Sequence, residues 1–181
     1  MTMKRVLLAA TLLLAGCNYS ETASEKMTSD GAVTHIEKST DINGVQSKIE
    51  LELTRFVLRT PANGQTTAAA YFTVKNKGAS ADRLQSVSCS CAAGAAFHIT
   101  THKDGMTSME EAPDGFPLPA GQTLVFAPGG NHVMLTGLTG APKEGDFVDL
   151  TLTFAKAGPV VLKVPVRDTV LGGDSNSAMK M

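Results

Sequence analysis

Two pairs of residues stand out as able to do chemistry together. His98 and Met109 are separated by ten residues, and His132 and Met134 by one, in the short run "HVM". Imidazole nitrogens and thioether sulfurs are poor ligands for hard cations, whereas soft Cu(I) accepts both. Zinc would normally recruit thiolate, imidazole or carboxylate. The set therefore selects copper, as Cu(I), over magnesium, calcium or manganese. Met in place of Cys also suits an oxidising compartment, where a pair of exposed thiols tends to close into a disulfide while a thioether stays available.

Residues that are to meet around one ion must be carried by elements that aim them alike. "KIELELTRFVL" alternates Ile49, Leu51 and Leu53 with polar neighbours, the period of a half-buried strand. Further strands are expected in "AAAYFTVKN", "RLQSVS", "AAFHITT", "TLVFAP", "HVMLTGL", "DFVDLTLTFA" and "PVVLKVPV", with Gly, Pro, Asn and Asp marking the turns between them. No helical stripe competes. The expected fold is an all-β, Greek-key sandwich over residues 47–168. In such a strand His132 and Met134 leave the same face. "HKDG" supplies a turn between His98, expected at the end of one strand, and Met109, expected at the start of the next.

The ends of the chain have a different character. "MTMKRVLLAATLLLAGC" places Lys4 and Arg5 before an apolar run too short to span a bilayer, as a secretory signal does. Its "LAGC" resembles the lipobox of bacterial lipoproteins, which implies a signal of residues 1–16 and lipidation of Cys17. Asn18 after that cysteine would, by the same resemblance, favour the outer membrane of a Gram-negative envelope. Residues 17–46, with Met27 and His35 among Ser, Thr and charged residues, are expected to be a flexible tether. The tail 169–181 is expected to be disordered, with Met179 and Met181 able to reach a bound metal.

Composition excludes other classes. A formal net charge of -1 and 5% aromatic residues offer neither a basic field nor a stacking surface for nucleic acid. No Ser/His/Asp order or phosphate-binding glycine loop stands in a suitable context. Four protein ligands would also leave copper no open position for a substrate, so an enzyme is not expected.

Beyond the ligands, "YFTVKNKGASADRLQSVS", "LPAGQTLVFAPGGNHVMLTGL" and "GDFVDLTLTFAKAGPVVLKVPV" resemble the periplasmic PCu(A)C copper chaperones, marked by an H-x10-M…H-x-M pattern. The resemblance covers roughly residues 48–167. It implies a cupredoxin-like or immunoglobulin-like sandwich that binds one Cu(I) through His98, Met109, His132 and Met134. Such a protein, on the periplasmic side of the envelope and lipid-anchored to a membrane here, passes copper to an acceptor such as the CuA centre of cytochrome c oxidase or another copper chaperone.

The chain departs from that pattern in places. Twenty-two residues separate Met109 from His132, one more than is usual. His102 stands where many members carry Met, and is read either as an added ligand or as an exposed turn residue. Met106 is read as packing within the hairpin or as a ligand. Cys89 and Cys91 in "SCSC" have no counterpart in the family and are read as a structural pair or as thiols for redox or copper exchange, with a turn after "CAAG" bringing them toward the copper edge. In a regular strand their bridging would require local distortion. The competing functions are an electron-transfer cupredoxin, which needs a Cys ligand, copper buffering or scavenging, and a non-metal interaction module.

Overall fold

A computed structural model of the chain describes residues 19–28, 31–42, 45–61, 64–140 and 142–168. Residues 1–18, with Cys17 and Asn18, and residues 169–181, with Met179 and Met181, lie outside the described residues. Twelve strands follow in order: β1 (Tyr19–Thr28), β2 (Gly31–Ile42), β3 (Val45–Arg59), β4 (Thr67–Asn76), β5 (Asp82–Cys89), β6 (Ala92–Lys103), β7 (Met106–Glu111), β8 (Phe116–Leu118), β9 (Thr123–Phe126), β10 (Asn131–Leu138), β11 (Phe147–Phe154) and β12 (Gly158–Arg167).

They form a two-layered β-sandwich. One layer runs β7-β6-β10-β4-β3, with β9 continuing the β10 edge of β4 and the β1–β2 hairpin laid along β3. The other runs β12-β11-β5-β8. A short parallel pairing of Val166 and Arg167 with Leu58 and Arg59 joins the two at a corner. Just before it β3 bulges between Thr54 and Val57, where Arg55 takes a φ of 59°.

The stretch expected to be a tether thus carries β1 and β2, and the pairing of Thr34–Ile42 with Val45–Leu53 lengthens the sheet. Its polar composition concealed this because a strand on a sheet edge draws its hydrogen bonds from the backbone and needs few apolar side chains. Thr34 and Ile36 are nevertheless buried. β8 was also unforeseen. "FPL" is short and holds Pro117, which an edge strand tolerates because one side of its backbone needs no donor.

Alternation builds the core. Ala68, Ala70, Phe72 and Val74 of β4, Val133 and Leu135 of β10 and Phe97 of β6 point inward against Leu84, Leu150, Leu152, Phe154, Leu162 and Val164 of the other layer. At its centre Phe126 stacks on Phe72 with ring centroids 4.3 Å apart, meets Phe116 at 5.2 Å and Phe97 at 5.6 Å.

Two buried polar side chains pin the loops. Asp82 accepts from the amides of Lys156 and Ala157, fixing the β11–β12 turn. Asn76, fully buried, donates to the carbonyls of Ser80 and Leu118 and accepts from the Gly78 amide. Removing such a partner strands buried groups, each at a cost of about 1–3 kcal/mol. We therefore expect Asn76→Ala to destabilise the domain by about 2–4 kcal/mol, read as a lower midpoint in chemical denaturation with an unchanged slope.

Candidate metal centre

The β6–β7 hairpin closes on Asp104 and Gly105, both with positive φ (52° and 75°), between the paired residues Lys103 and Met106. An Asp-Gly pair is suited to this two-residue turn, whose handedness matches the strand twist. The hairpin forms as expected but is longer. His98 sits in the middle of β6 rather than at its end, and Met109 is the fourth residue of β7 rather than its first.

Register then decides which donors share a face. His98 of β6 lies directly opposite His132 of β10, and Ala96 opposite Met134. On the other side Thr100 lies opposite Met109 and His98 opposite Glu111. Phe97 and Val133 point into the core, so the flanking His98, His132 and Met134 face outward. Met134 and Met109 are each one diagonal step from His98, a spacing of about 7–8 Å between Cα atoms that long side chains can bridge. The four sequence-predicted donors are thereby brought to one outward face of one sheet.

The two histidines face one another ring to ring. Their rings are nearly parallel, 22° apart, with centroids at 5.7 Å, a separation across which one ion about 2 Å from a nitrogen of each ring can be held. Nδ1 of His132 lies 3.1 Å from the Gly130 carbonyl. Donating there fixes the tautomer and leaves the lone pair of Nε2 free, the usual way a backbone carbonyl prepares a metal-binding imidazole. Nδ1 of His98 is buried with no hydrogen-bond partner. A buried unpaired nitrogen is costly, and a bound ion is one means of satisfying it.

The surroundings are graded in exposure. His132 is 8% exposed and Met134 half-buried, whereas Met109 is 52% exposed. Tyr71, also buried, is the next residue along β4 after Ala70, which pairs with Val133; one more step of that register sets it beside His132. Burial pushes its hydroxyl pKa up, partly opposed by the positive charge of Arg59, so the wall it forms is neutral. Neither Tyr71 nor the Gly130 carbonyl was foreseen, since a single aromatic in an alternating strand and a backbone oxygen carry no signal in sequence. Met134 also lines an open groove of about 790 Å³ with Arg59, Thr67, Ala69 and Asp168. Among the described residues no three of His, Cys, Asp and Glu converge as a metal-holding group.

The remaining candidates are distributed as follows. His102 lies on the same face as His98 and is exposed. Met106 pairs with Lys103, which puts it on the opposite face, and is 72% exposed; the expected packing within the hairpin is not found. Cys89 and Cys91 are joined in a disulfide, with Cα atoms 5.1 Å apart. A turn at Ser90 and Cys91 interrupts the strand and brings them within bridging distance, which a regular strand would not. The chain does not turn again after "CAAG". β6 runs straight on from Ala92, so the bridge lies about 20 Å along the strand from His98. Closing so short a loop contributes only about 1.5 kcal/mol in the chain-entropy account. Because Cys89 is also buried in the core, the double replacement Cys89→Ser with Cys91→Ser should cost at least about that much stability and leave metal affinity at the distant His/Met face unchanged, as a thermal melt beside a metal titration would show.

Comparison with known proteins gives a consistent picture. The family described as putative lipoprotein LpqE-like matches residues 51–166. The putative lipoprotein Lxx21020 of Leifsonia xyli subsp. xyli is 33% identical over 138 residues, covering 76% of this chain and 81% of its own length. Among solved structures, the copper-bound PCuAC domain from PmoF2 is similar with a TM-score of 0.55 and 30% identity, over 66% of this chain and 93% of that one. The Cu(I) form of DR1885 from Deinococcus radiodurans is similar with a TM-score of 0.53 and 28% identity, over 64% and 76%.

Proposed function

Because the chain belongs to the LpqE-like family of putative lipoproteins and is similar to copper-binding PCuAC domains, we propose that it is an extracytoplasmic copper chaperone. It binds one Cu(I) through His98, Met109, His132 and Met134. The observation that carries this reading is the register that sets His98 opposite His132 with a methionine one diagonal step to either side.

The residues divide the work by exposure. His132, oriented by Gly130, and His98, with its buried unpaired Nδ1, supply the nitrogen donors. Met134 closes the inner side. Met109 is the most exposed of the four and is the donor that an approaching acceptor meets first. A thiolate-bearing acceptor then draws the soft ion away by ligand exchange, with no change in oxidation state. The CuA centre of cytochrome c oxidase, or another chaperone, is the proposed recipient. Cys17 is proposed to anchor the protein by its lipid on the outer side of a membrane. Met179 and Met181, on a tail that leaves the described chain at Asp168 beside the groove lined by Met134, are proposed as auxiliary donors.

Electron transfer by a blue-copper site is disfavoured on a specific ground, since that site requires a cysteine ligand. Both cysteines of the described residues are bound to each other at the β5–β6 turn, far from His98. An anaerobic Cu(I) titration against a competing chelator, with X-ray absorption to count neighbours, tests the proposal. One equivalent bound by two nitrogens and two sulfurs is expected. No copper bound, or a shell lacking sulfur, would refute it.

A further inference from the structure

His102 is not used by the four-ligand site, yet it is held as a ligand would be. Its Nδ1 lies 2.9 Å from Oγ1 of Thr107, its direct cross-strand partner. With Nδ1–H donating to that hydroxyl, the ring is fixed in orientation and Nε2 keeps its lone pair. Nε2 is aimed over Gly129, where an added Cβ would stand 3.6 Å away. A side chain there would be in van der Waals contact with this nitrogen, and the φ of 78° disfavours any residue that carries one.

The register places Met109 between two imidazoles. Met109 pairs with Thr100, and His98 and His102 lie two residues to either side of Thr100 on the same face. Met109 is thus a diagonal neighbour of both, about 7–8 Å away in each direction. Exposure rises along the row, from the buried His132 through the 52% exposed Met109 to the exposed His102 near the hairpin tip. Donors in that order form a path from the inner site to solvent.

We infer that His102 Nε2 and Met109 together form an outer station for Cu(I), through which the ion enters and leaves the inner site, with Met109 as the ligand common to both. The inference rests on the reading that Cu(I) occupies the His98/His132 face. In the exchange step the ion keeps its Met109 sulfur, breaks its bonds to the inner imidazoles and Met134, and forms a bond to His102 Nε2. In the tautomer whose Nδ1–H donates to Thr107, that nitrogen carries a free lone pair, so no proton or electron is transferred. Cu(I) tolerates the low coordination number of the intermediate because both donors are ones it prefers.

The test compares the full chain with His102→Gln, loading each with one equivalent of Cu(I) without oxygen and following its removal by bicinchoninate in stopped flow. The expected result is an unchanged equilibrium affinity and thermal midpoint with exchange slowed by about tenfold or more. His102→Met, which restores a soft donor of similar reach, should recover most of the rate; a merely structural role for the imidazole would not be rescued in this way. Wild-type exchange kinetics in His102→Gln would overturn the inference, and so would a large loss of equilibrium affinity, since His102 would then belong to the inner site. Failure of the underlying reading looks different: the unaltered protein would not take up its one equivalent at all.

Discussion

Replacing Met109 and Met134 together by Leu should leave the sandwich folded and lower Cu(I) affinity by more than about 100-fold. Loss of groups that merely orient a ligand costs 10–100-fold, and these are proposed to be ligands themselves. The structural cost is small because Leu and Met are close in volume and apolarity, a swap that usually costs less than about 1.5 kcal/mol. Here it is smaller still, since Met109 is half in solvent and Met134 lines an open groove, so neither fills a sealed part of the core. The paired measurement is a Cu(I) dissociation constant by chelator competition beside a thermal melt. An unchanged dissociation constant in a folded variant would remove the thioethers from the site. A lost fold would contradict the outward placement of both side chains.

The outward face shared by the four proposed donors was legible in the sequence because period and turn chemistry agree there. His132 and Met134 are two apart in an apolar run, and the "DG" in "HKDGM" is a strong hairpin signal, so a shared face followed from strand geometry. The β-sandwich was legible for the same reason, since most of its strands alternate visibly. The pairing of β6 with β10 was not. It joins residues more than thirty positions apart through contacts that no local pattern encodes, and a slip of one residue would have turned His98 into the core. The β1–β2 hairpin was hidden because edge strands need only backbone partners. The place of the cysteines was misjudged for a related reason, because the break in the strand that permits their bridge falls at Ser90 and Cys91, where no Gly or Pro announces a turn. Asn18, read as pointing to an outer membrane, finds no support in the relatives, which bear only on lipoprotein character.

The aromatic cluster beneath the site yields the largest expected effect on stability. Phe126 is the hub of three ring contacts, with Phe72, Phe97 and Phe116, and is 2% exposed. Phe126→Ala should therefore cost about 3–5 kcal/mol, the usual range for deleting a buried aromatic, and lower Tm by roughly 10–20 °C for a domain of this size. The effect should also reach the metal. Phe126 is followed at once by the Ala127–Gly130 turn, closed by the Gly130 amide on the Ala127 carbonyl at 3.1 Å and the Ala127 amide on the Asn131 carbonyl at 2.8 Å. That turn holds the carbonyl that orients His132. Loosening its anchor lets the imidazole rotate, so Cu(I) affinity should fall by about 10-fold in protein that is still folded at low temperature. Phe126→Leu retains an apolar anchor and should recover most of that affinity while restoring only part of the stability. Calorimetry with and without Cu(I) separates the two consequences, because a ligand that binds only the folded form raises Tm in proportion to the affinity it retains. Affinity equal to the wild type in folded Phe126→Ala would show that His132 is held without help from the core beneath it.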